Sequence, residues 1–359
     1  MSANFEVPDP ILNSPYEEPL WYWDIEEGKP PTKEPGRRRA CYYFPDPGAS
    51  QTAEGARGTR IELTLVNQIR EKLKEWRAAR YPGATRVTLE LLDYWRRDGR
   101  EQPLFFAQLE GAETIIFLTE ARADFLQGID IAYDEPGEEA KAKGFTAFRR
   151  YACKMATGTG KTTVMGMLAA WSILNKMNDR GDARYSDAVL VVCPNITIKN
   201  RLQELDPRNG EASLYRTRDL VPGHYMPDLT NGRVLVTNWH VFEPQVVQTG
   251  GVTAKVSRVG VPVREREWIH IAAKSTTARG KRYLSPADLS RQIGAGMLTV
   301  LAEEKDKQGN LKRVQVESVR YVESDTHLVD RVIGKEVGGK QNILVFNDEG
   351  HHAYRIRKS

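Results

Sequence analysis

The stretch MATGTGKTT, residues 155–163, constrains this chain more than any other. Gly160–Thr162 matches the end of the G-x-x-x-x-G-K-[ST] phosphate loop, although Met155 stands where the first glycine would be. The loop's glycines let backbone N–H groups approach phosphate oxygens, Lys161 supplies a positive charge, and the hydroxyl of Thr162 can bind Mg²⁺. We expect a nucleotide to be bound by Ala156, Thr157, Gly158, Thr159, Gly160, Lys161, Thr162 and Thr163.

The residues on both sides predict a strand, the loop and a helix in that order. Tyr151, Cys153 and Met155 alternate as in a short strand, and apolar residues recur at helical spacing after the loop. A helix that begins here directs its N-terminal dipole at the bound anion. The alternative, an accidental Gly/Thr turn, is disfavoured by this context.

Composition is typical of a soluble globular protein. The 359 residues are enough for two domains, with 40% hydrophobic and 28% charged residues. Cys41, Cys153 and Cys193 have no metal-binding or disulfide spacing, so we expect a cytoplasmic location. The sequence shows no apolar run of membrane-spanning length and no signal-peptide core.

Charge is distributed unevenly along the chain. Residues 1–50 carry 5 Lys/Arg against 9 Asp/Glu, whereas residues 251–301 carry 9 against 3. A basic stretch of this kind can contact a polyanion such as DNA. A solvated charged face explains the same composition, so both interpretations stay open.

The first 121 residues divide into an arm and a helical lead-in. Residues 1–58 are rich in proline and aromatic residues, which predicts an extended arm. Its aromatic islands favour docking onto a neighbouring domain over stacking on bases. Arg37–Arg39 is a weak candidate for phosphate contact. Within the lead-in, residues 59–121, helices are predicted from Thr59, over Val87–Arg97 and over Leu104–Ala121.

Beyond a polar loop at 122–147, apolar runs predict a mainly parallel sheet. Ala188–Cys193 is continuously apolar, as in a strand that is buried on both faces. Ile343–Phe346 is a second apolar run and leads directly into Asp348 and Glu349. Between the runs, residues 244–340 contain alternating segments that predict a basic, β-rich insertion.

The loop in the form A-T-G-T-G-K-T, followed by a strand that ends in Asp348-Glu349, resembles superfamily 2 helicases and translocases. The resemblance implies that Asp348 holds Mg²⁺ and that Glu349 activates the attacking water, with Lys161 on the phosphates. His351 stands where that family couples the acidic motif to later motifs. A charged turn after an edge strand is the alternative interpretation of the acidic pair.

Gln108 follows the aromatic pair Phe105-Phe106 and resembles the adenine-reading glutamine of superfamily 2. A carboxamide offers the donor and the acceptor that the adenine edge requires. An exposed helix glutamine is the alternative. More narrowly, L-L-x-x-W-R before F-F-x-Q-x-E-x-x-E-T resembles the helicase-like subunit of type III restriction endonucleases.

Two further segments resemble the nucleic-acid motifs of superfamily 2. Pro194-Asn195 ends one strand before a helix, and the strand Arg233–Thr237 leads into a T-N turn. The resemblance implies contacts to the nucleic-acid backbone from Thr197, Lys199, Asn200, Thr237 and Asn238.

The expected fold is therefore α/β, with a RecA-like P-loop NTPase lobe over residues 122–359. The resemblance implies a DNA-dependent ATP hydrolase that uses ATP and Mg²⁺, binds duplex DNA and works with a methyltransferase subunit. Because the sequence ends at Ser359, we expect the second RecA-like lobe and the nuclease domain to be missing. Two alternatives stay open: an RNA helicase or other superfamily 2 remodeller, and a truncated nucleotide-binding product without turnover.

Overall fold

The computed structural model describes residues 7–25, 29–45, 58–142, 144–194, 196–242, 260–278, 281–294, 298–306, 309–323, 328, 330–334, 337, 340 and 342–349. The chain divides into two compact units. The first unit comprises Met1–Thr237 with Lys340–Ser359, and the second, here called the insertion unit, comprises Asn238–Gly339. His351 lies outside the described residues.

The first unit combines helices with short sheets. Its helices are α1 (Thr64–Ala78), α2 (Arg86–Arg96), α3 (Phe106–Glu120), α4 (Glu138–Ala142), α5 (Lys161–Asn178), α6 (Ile196–Leu202), α7 (Leu214–Thr217) and α8 (Met226–Asn231). Its strands are β1 (Trp21–Asp24), β2 (Thr32–Pro35), β3 (Cys41–Pro45), β4 (Gly58–Glu62), β5 (Ala188–Cys193), β6 (Arg233–Asn238, whose last residue belongs to the insertion unit) and β12 (Leu344–Asn347).

Two antiparallel strand pairs form in the described part of the stretch that the prolines predicted to be an extended arm. β1 pairs with β2, and β3 pairs with β4. Proline does not prevent this pairing, because Pro35 and Pro45 stand at the last positions of β2 and β3 in two-stranded sheets, where every strand is an edge. Helix α1 consequently begins at Thr64, later than predicted, since β4 occupies the residues before it.

The helical core is built around α5. Met167, Ala170 and Ile173 of this helix are fully buried, and α5 contacts α2, α3, α8 and β12. The tryptophans Trp76 of α1 and Trp95 of α2 are also buried. At the start of α1, Leu65 and Val66 are exposed and lie outside this core.

A three-stranded sheet in the order β12-β5-β6 lies beside these helices. β12 runs parallel to β5, with Leu344 opposite Val189. Contacts between β5 and β6 join their starts, where Arg233 N–H donates to Asp187 O, and their ends, where Cys193 Sγ donates to Thr237 O, so these strands are also parallel. The predicted mixed α/β fold with a parallel sheet is thereby confirmed.

The short strand predicted at Tyr151–Met155 is wrong. These residues form no ladder hydrogen bonds, and the described sheet has β5 flanked on both sides by β12 and β6. Alternation alone does not make a strand, because each strand needs a partner for its backbone N–H and C=O groups. The phosphate loop is therefore preceded by irregular backbone.

The insertion unit holds a separate sheet in the order β10-β11-β7-β9-β8. It lies in the segment that the sequence predicted to be β-rich. Ile269, Val314 and Val316 form the centre of its small core. Its elements are β7 (Gly260–Ile271), β8 (Thr276–Ala278), β9 (Lys281–Leu284), α9 (Pro286–Gly294), β10 (Leu298–Lys305) and β11 (Leu311–Glu323).

Within the described part of the basic stretch 251–301, the arginines pair with acids of this unit. Arg264 and Arg266 of β7 contact Glu317 of β11, at 3.4 and 3.1 Å. Arg282 likewise pairs with Glu267 at 2.7 Å. Among the helices that the structure describes, none has the length and apolar character needed to cross a membrane.

Candidate nucleotide site

The phosphate loop is shaped by two glycines in the left-handed region. Gly158 has φ 82° and Gly160 has φ 83°, a conformation that a Cβ atom disfavours. Between them, Thr159 closes a turn by donating its hydroxyl to Ala156 O at 2.7 Å. Residues 156–158 are exposed, so their backbone is accessible to a ligand.

Helix α5 begins directly after this loop, at Lys161, with Gly160 as its N-cap. No side chain caps its first turn. The first N–H groups of a helix have no partner within the helix, and together with the helix dipole they attract an anion. The predicted phosphate-binding position therefore has the backbone geometry that an anion site requires.

Gln108 lies against the phosphate loop. A Cβ placed on Gly160 would stand 2.0 Å from Gln108 Nε2 and 3.1 Å from its Cδ. Gln108 is 7% exposed, and its Oε1 accepts the N–H of Phe105 at 2.9 Å. The alternative of an exposed helix glutamine is therefore wrong, because α3 directs this amide into the site.

Helix α3 is held in place by a buried ion-pair cluster. Glu113 is fully buried and accepts hydrogen bonds from Arg77, at 2.5 Å, and from Arg96, at 2.7 Å. Tyr81 also donates its hydroxyl to Glu113 at 3.2 Å. Arg96 belongs to the L-L-x-x-W-R segment and Glu113 to the F-F-x-Q-x-E-x-x-E-T segment. This contact therefore joins the two segments that resemble the helicase-like restriction subunit.

The acidic pair stands at the carboxyl end of β12. Asp348 is 9% exposed, and its N–H donates to Val192 O of β5 at 2.9 Å. Burial, and after it the charge of Glu349, raises the pKa of the Asp348 carboxyl, while the charges of Arg201 and Lys161 act in the opposite direction. Lys161 and Asp348, far apart in sequence, are therefore within electrostatic reach of each other.

Glu349 adopts a left-handed backbone with φ 54°. For a residue with a Cβ this conformation costs about 1–2 kcal/mol, and such strain is concentrated at active sites. The acidic pair thus lies on a strained turn at the carboxyl end of β12.

The donor set fits a magnesium ion bound together with a nucleotide. Among the described residues, no group of three His, Cys, Asp or Glu side chains is arranged to hold a metal by itself. Mg²⁺ in nucleotide sites takes most ligands from phosphate and water and only one or two from protein oxygens. Such oxygens are present on the Asp348 carboxylate and on the hydroxyl of Thr162, the second residue of α5.

The residues predicted to contact nucleic acid differ in exposure. Thr197 and Asn200 on α6 are exposed and Lys199 is half-buried. Thr237 is only 6% exposed, so its side chain presents little surface to a partner. Asn238 belongs to the insertion unit, where its Oδ1 accepts the N–H of His240 at 3.1 Å.

Sequence reasoning missed Arg201. Arg201 lies on α6, the helix that follows β5 along the chain, and its positive charge opposes the rise that burial causes in the pKa of Asp348. Only the order of strands brings the two together, and no local pattern distinguishes this arginine from other charged helix residues.

A comparison with known families extends this picture. Residues 112–249 match the family model described as type III restriction enzyme, res subunit. The match contains the phosphate loop, α5, β5, α6 and β6, and it confirms the resemblance to the helicase-like subunit for that part of the chain. Gln108 and the acidic pair lie outside the res-subunit match. Neither the curated proteins nor the solved structures contain a match to the chain.

Proposed function

We propose that this chain forms the first, RecA-like lobe of an ATP-dependent motor that acts on DNA in a type III restriction endonuclease. The observation that carries the proposal is that α5, which begins at Lys161, packs against β12, so that the Lys161 charge acts on Asp348 at the end of that strand. Open α/β sheets bind ligands at the carboxyl ends of their strands, which is where Asp348 stands. The res-subunit match supports the same motor function.

Each residue has a distinct task in this proposal. The N–H groups of the loop and of the first turn of α5 bind the phosphates, and the Lys161 ammonium neutralises their charge. Bound Mg²⁺ supplies positive charge at the phosphate oxygens, and Asp348 and Thr162 would hold it. The Glu349 carboxylate accepts a proton from the attacking water and orients it.

Gln108 would bind the adenine base. An amide oxygen has two lone pairs, and the N–H of Phe105 occupies one on Oε1. The carboxamide therefore retains the acceptor and donor capacity that an adenine edge needs. Its contact with Gly160 would connect base recognition to the phosphate loop.

Duplex DNA is the proposed partner, with Thr197, Lys199 and Asn200 of α6 as the contact residues. A methyltransferase subunit is a further proposed partner. Higher affinity of the chain for RNA than for duplex DNA in a direct binding assay would contradict the DNA assignment.

The decisive experiment compares ATP binding by Lys161→Ala and the unmodified chain, using calorimetry in the presence of Mg²⁺. We expect loss of measurable binding, because the variant removes the positive charge at the phosphates. Lys176→Ala is the matched control, since Lys176 lies in the last turn of the same helix and donates to Asp182 O. Equal ATP affinity in Lys161→Ala and Lys176→Ala would refute the site.

A second experiment separates binding from chemistry. In a protein that contains both motor lobes, Glu349→Gln is expected to bind ATP with unchanged affinity but to lose hydrolysis by about a hundredfold or more, the usual contribution of a general base. Steady-state turnover and equilibrium binding are measured on the same preparation. Normal turnover would show that another group activates the water.

A further inference from the structure

Residues 13–25 and 29–37 fold as one piece, here called the N-terminal hairpin. Asn13 Oδ1 accepts the N–H groups of Leu20 and Trp21, at 2.9 and 3.0 Å, and its Nδ2 donates to Trp21 O at 2.8 Å. β1 and β2 then pair, and Gly36 N–H donates to Leu20 O at 2.6 Å. Hydrogen bonds thus connect Asn13, before the two strands, and Gly36, after them, to the start of β1.

The hairpin contacts the first turn of α3. Pro15 O accepts the N–H of Phe106 at 2.8 Å. This N–H is among the first of the helix and has no partner inside it. The ring of Tyr16 also lies 5.4 Å from that of Phe105, centroid to centroid. Backbone and ring contacts thus fix where α3 begins.

Arg37, at the end of the hairpin, adds a two-pronged ion pair. Its Nη1 and Nη2 donate to Oε1 and Oε2 of Glu110, the second at 2.6 Å. The side chains are 23% and 15% exposed, so water screens the pair only partly. The guanidinium also lies 5.4 Å from the ring of Phe106. Paired geometry of this kind fixes direction as well as distance.

These contacts surround Gln108. Phe105 and Phe106 precede it, Glu110 follows it, and its own amide accepts the Phe105 N–H and reaches Gly160. A shift of the first turn of α3 would therefore move the carboxamide away from the phosphate loop. Misplacement of a positioning group by about 1 Å is enough to change binding and rate substantially.

We propose that the N-terminal hairpin holds Gln108 against the phosphate loop, and that Arg37 and Glu110 are positioning residues for adenine selectivity. The inference rests on the proposed nucleotide site and deepens it. Arg37 was a weak candidate for phosphate contact from the sequence, and its pairing with Glu110 gives it this different role.

The test measures binding of ATP, GTP and inorganic tripolyphosphate to the full chain by calorimetry. The variants are Arg37→Met, Glu110→Gln, their double variant and Arg38→Met. Arg38 is the matched control, because it is the exposed neighbour of Arg37. We expect each single variant to lower ATP affinity about tenfold and to leave GTP and tripolyphosphate affinity unchanged. The double variant should lose no more than either single one, since both remove the same contact.

The outcomes separate this inference from the proposed function. If the unmodified chain binds neither ATP nor tripolyphosphate, the nucleotide site itself is wrong and the inference falls with it. If it binds ATP and the Arg37 and Glu110 variants match Arg38→Met, only the inference is refuted. Equal losses for ATP and tripolyphosphate would also refute it, because the hairpin would then support the fold and not the recognition of the base.

Discussion

At the scale of single residues, Gly158 and Gly160 look equivalent in sequence and differ in the structure. Both have φ near 80°, so an alanine at either position carries the same backbone penalty. A Cβ at Gly158 meets nothing within 4 Å, whereas a Cβ at Gly160 would collide with the Gln108 amide. Gly158 is therefore an internal control for the contact between Gln108 and the phosphate loop.

We predict that Gly160→Ala is less stable than Gly158→Ala by about 1 kcal/mol, because the Gln108 amide must move away and lose its hydrogen bond from the Phe105 N–H. The free energy of unfolding is measured in urea without nucleotide, so that effects on binding do not enter. In a Gln108→Ala background most of the difference should disappear. Equal stability of the two glycine variants would mean that the amide does not lie on the loop.

Single residues were predictable where the chemistry is local. Lys161 and Thr162 follow from the loop pattern, and Asp348 and Glu349 from two carboxylates at the end of an apolar strand. The burial of Gln108 could not be predicted, because it depends on how α3 packs against α5. Arg201 could not be predicted either, since only the sheet order brings α6 near Asp348.

At the scale of elements, α3 depends on charges inside the core. Glu113 is fully buried, while its partners Arg77 and Arg96 are 21% and 30% exposed. Burial, and then Glu113, raises the pKa of Tyr81 to about 12, so the phenol stays protonated and donates its hydrogen bond at neutral pH. Removing the carboxylate would leave two arginines without their counter-charge.

We predict that Glu113→Gln lowers the free energy of unfolding by about 3 kcal/mol, the lower end for breaking a buried ion pair, because both arginines keep some contact with water. Urea unfolding at pH 7 measures the loss. Glu75→Gln is the matched control on α1, since its pair with Lys72 is exposed and worth about 0.5 kcal/mol or less. A loss no larger than that of the control would show that Glu113 is not a structural anchor.

Helices and strands were predicted well where the hydrophobic pattern of the segment itself determines them. The bounds of α2, α3, β5 and β6 follow hydrophobic period and length to within a few residues, and α5 begins directly after the loop as expected. The sequence did not predict the strand pairs before α1, and it predicted a strand at 151–155 that does not form. Both errors arise because a strand exists only where a partner pairs with it. That partner is a property of the whole chain and not of the segment.

At the scale of the whole molecule, acids partly neutralise the described arginines of the basic stretch, although most of these arginines stay exposed. Glu317, which lies outside the stretch, forms ion pairs with Arg264 and Arg266. Arg282 and Arg291 form ion pairs with acids inside the stretch. The predicted bounds 1–58, 59–121 and 122–359 remain predictions, while the compact units divide the chain after Thr237 and after Gly339.

We predict that arginines of the insertion unit contribute to DNA affinity in a salt-dependent way, and that neighbouring acids of the unit reduce this contribution. Glu317→Gln should tighten duplex DNA binding and steepen its salt dependence, because Arg264 and Arg266 lose the acid that competes with phosphates for them, each new phosphate contact adding about 0.9 to the slope. Fluorescence anisotropy over a series of salt concentrations measures both quantities. Glu303→Gln, which pairs only loosely with Lys305 at 3.9 Å, is the control. A flat salt response in all three proteins would identify a solvated charged face.

The pairing of β12 with β5 sets an order of events during synthesis. Val189 leaves the ribosome long before Leu344, its neighbour across the sheet. At ordinary translation rates the delay is on the order of ten seconds, far longer than helix or hairpin formation. Throughout that interval one side of β5 exposes unpaired backbone, the kind of strand edge that recruits other chains. The candidate nucleotide site is therefore complete only after β12 and the acidic pair have been synthesised.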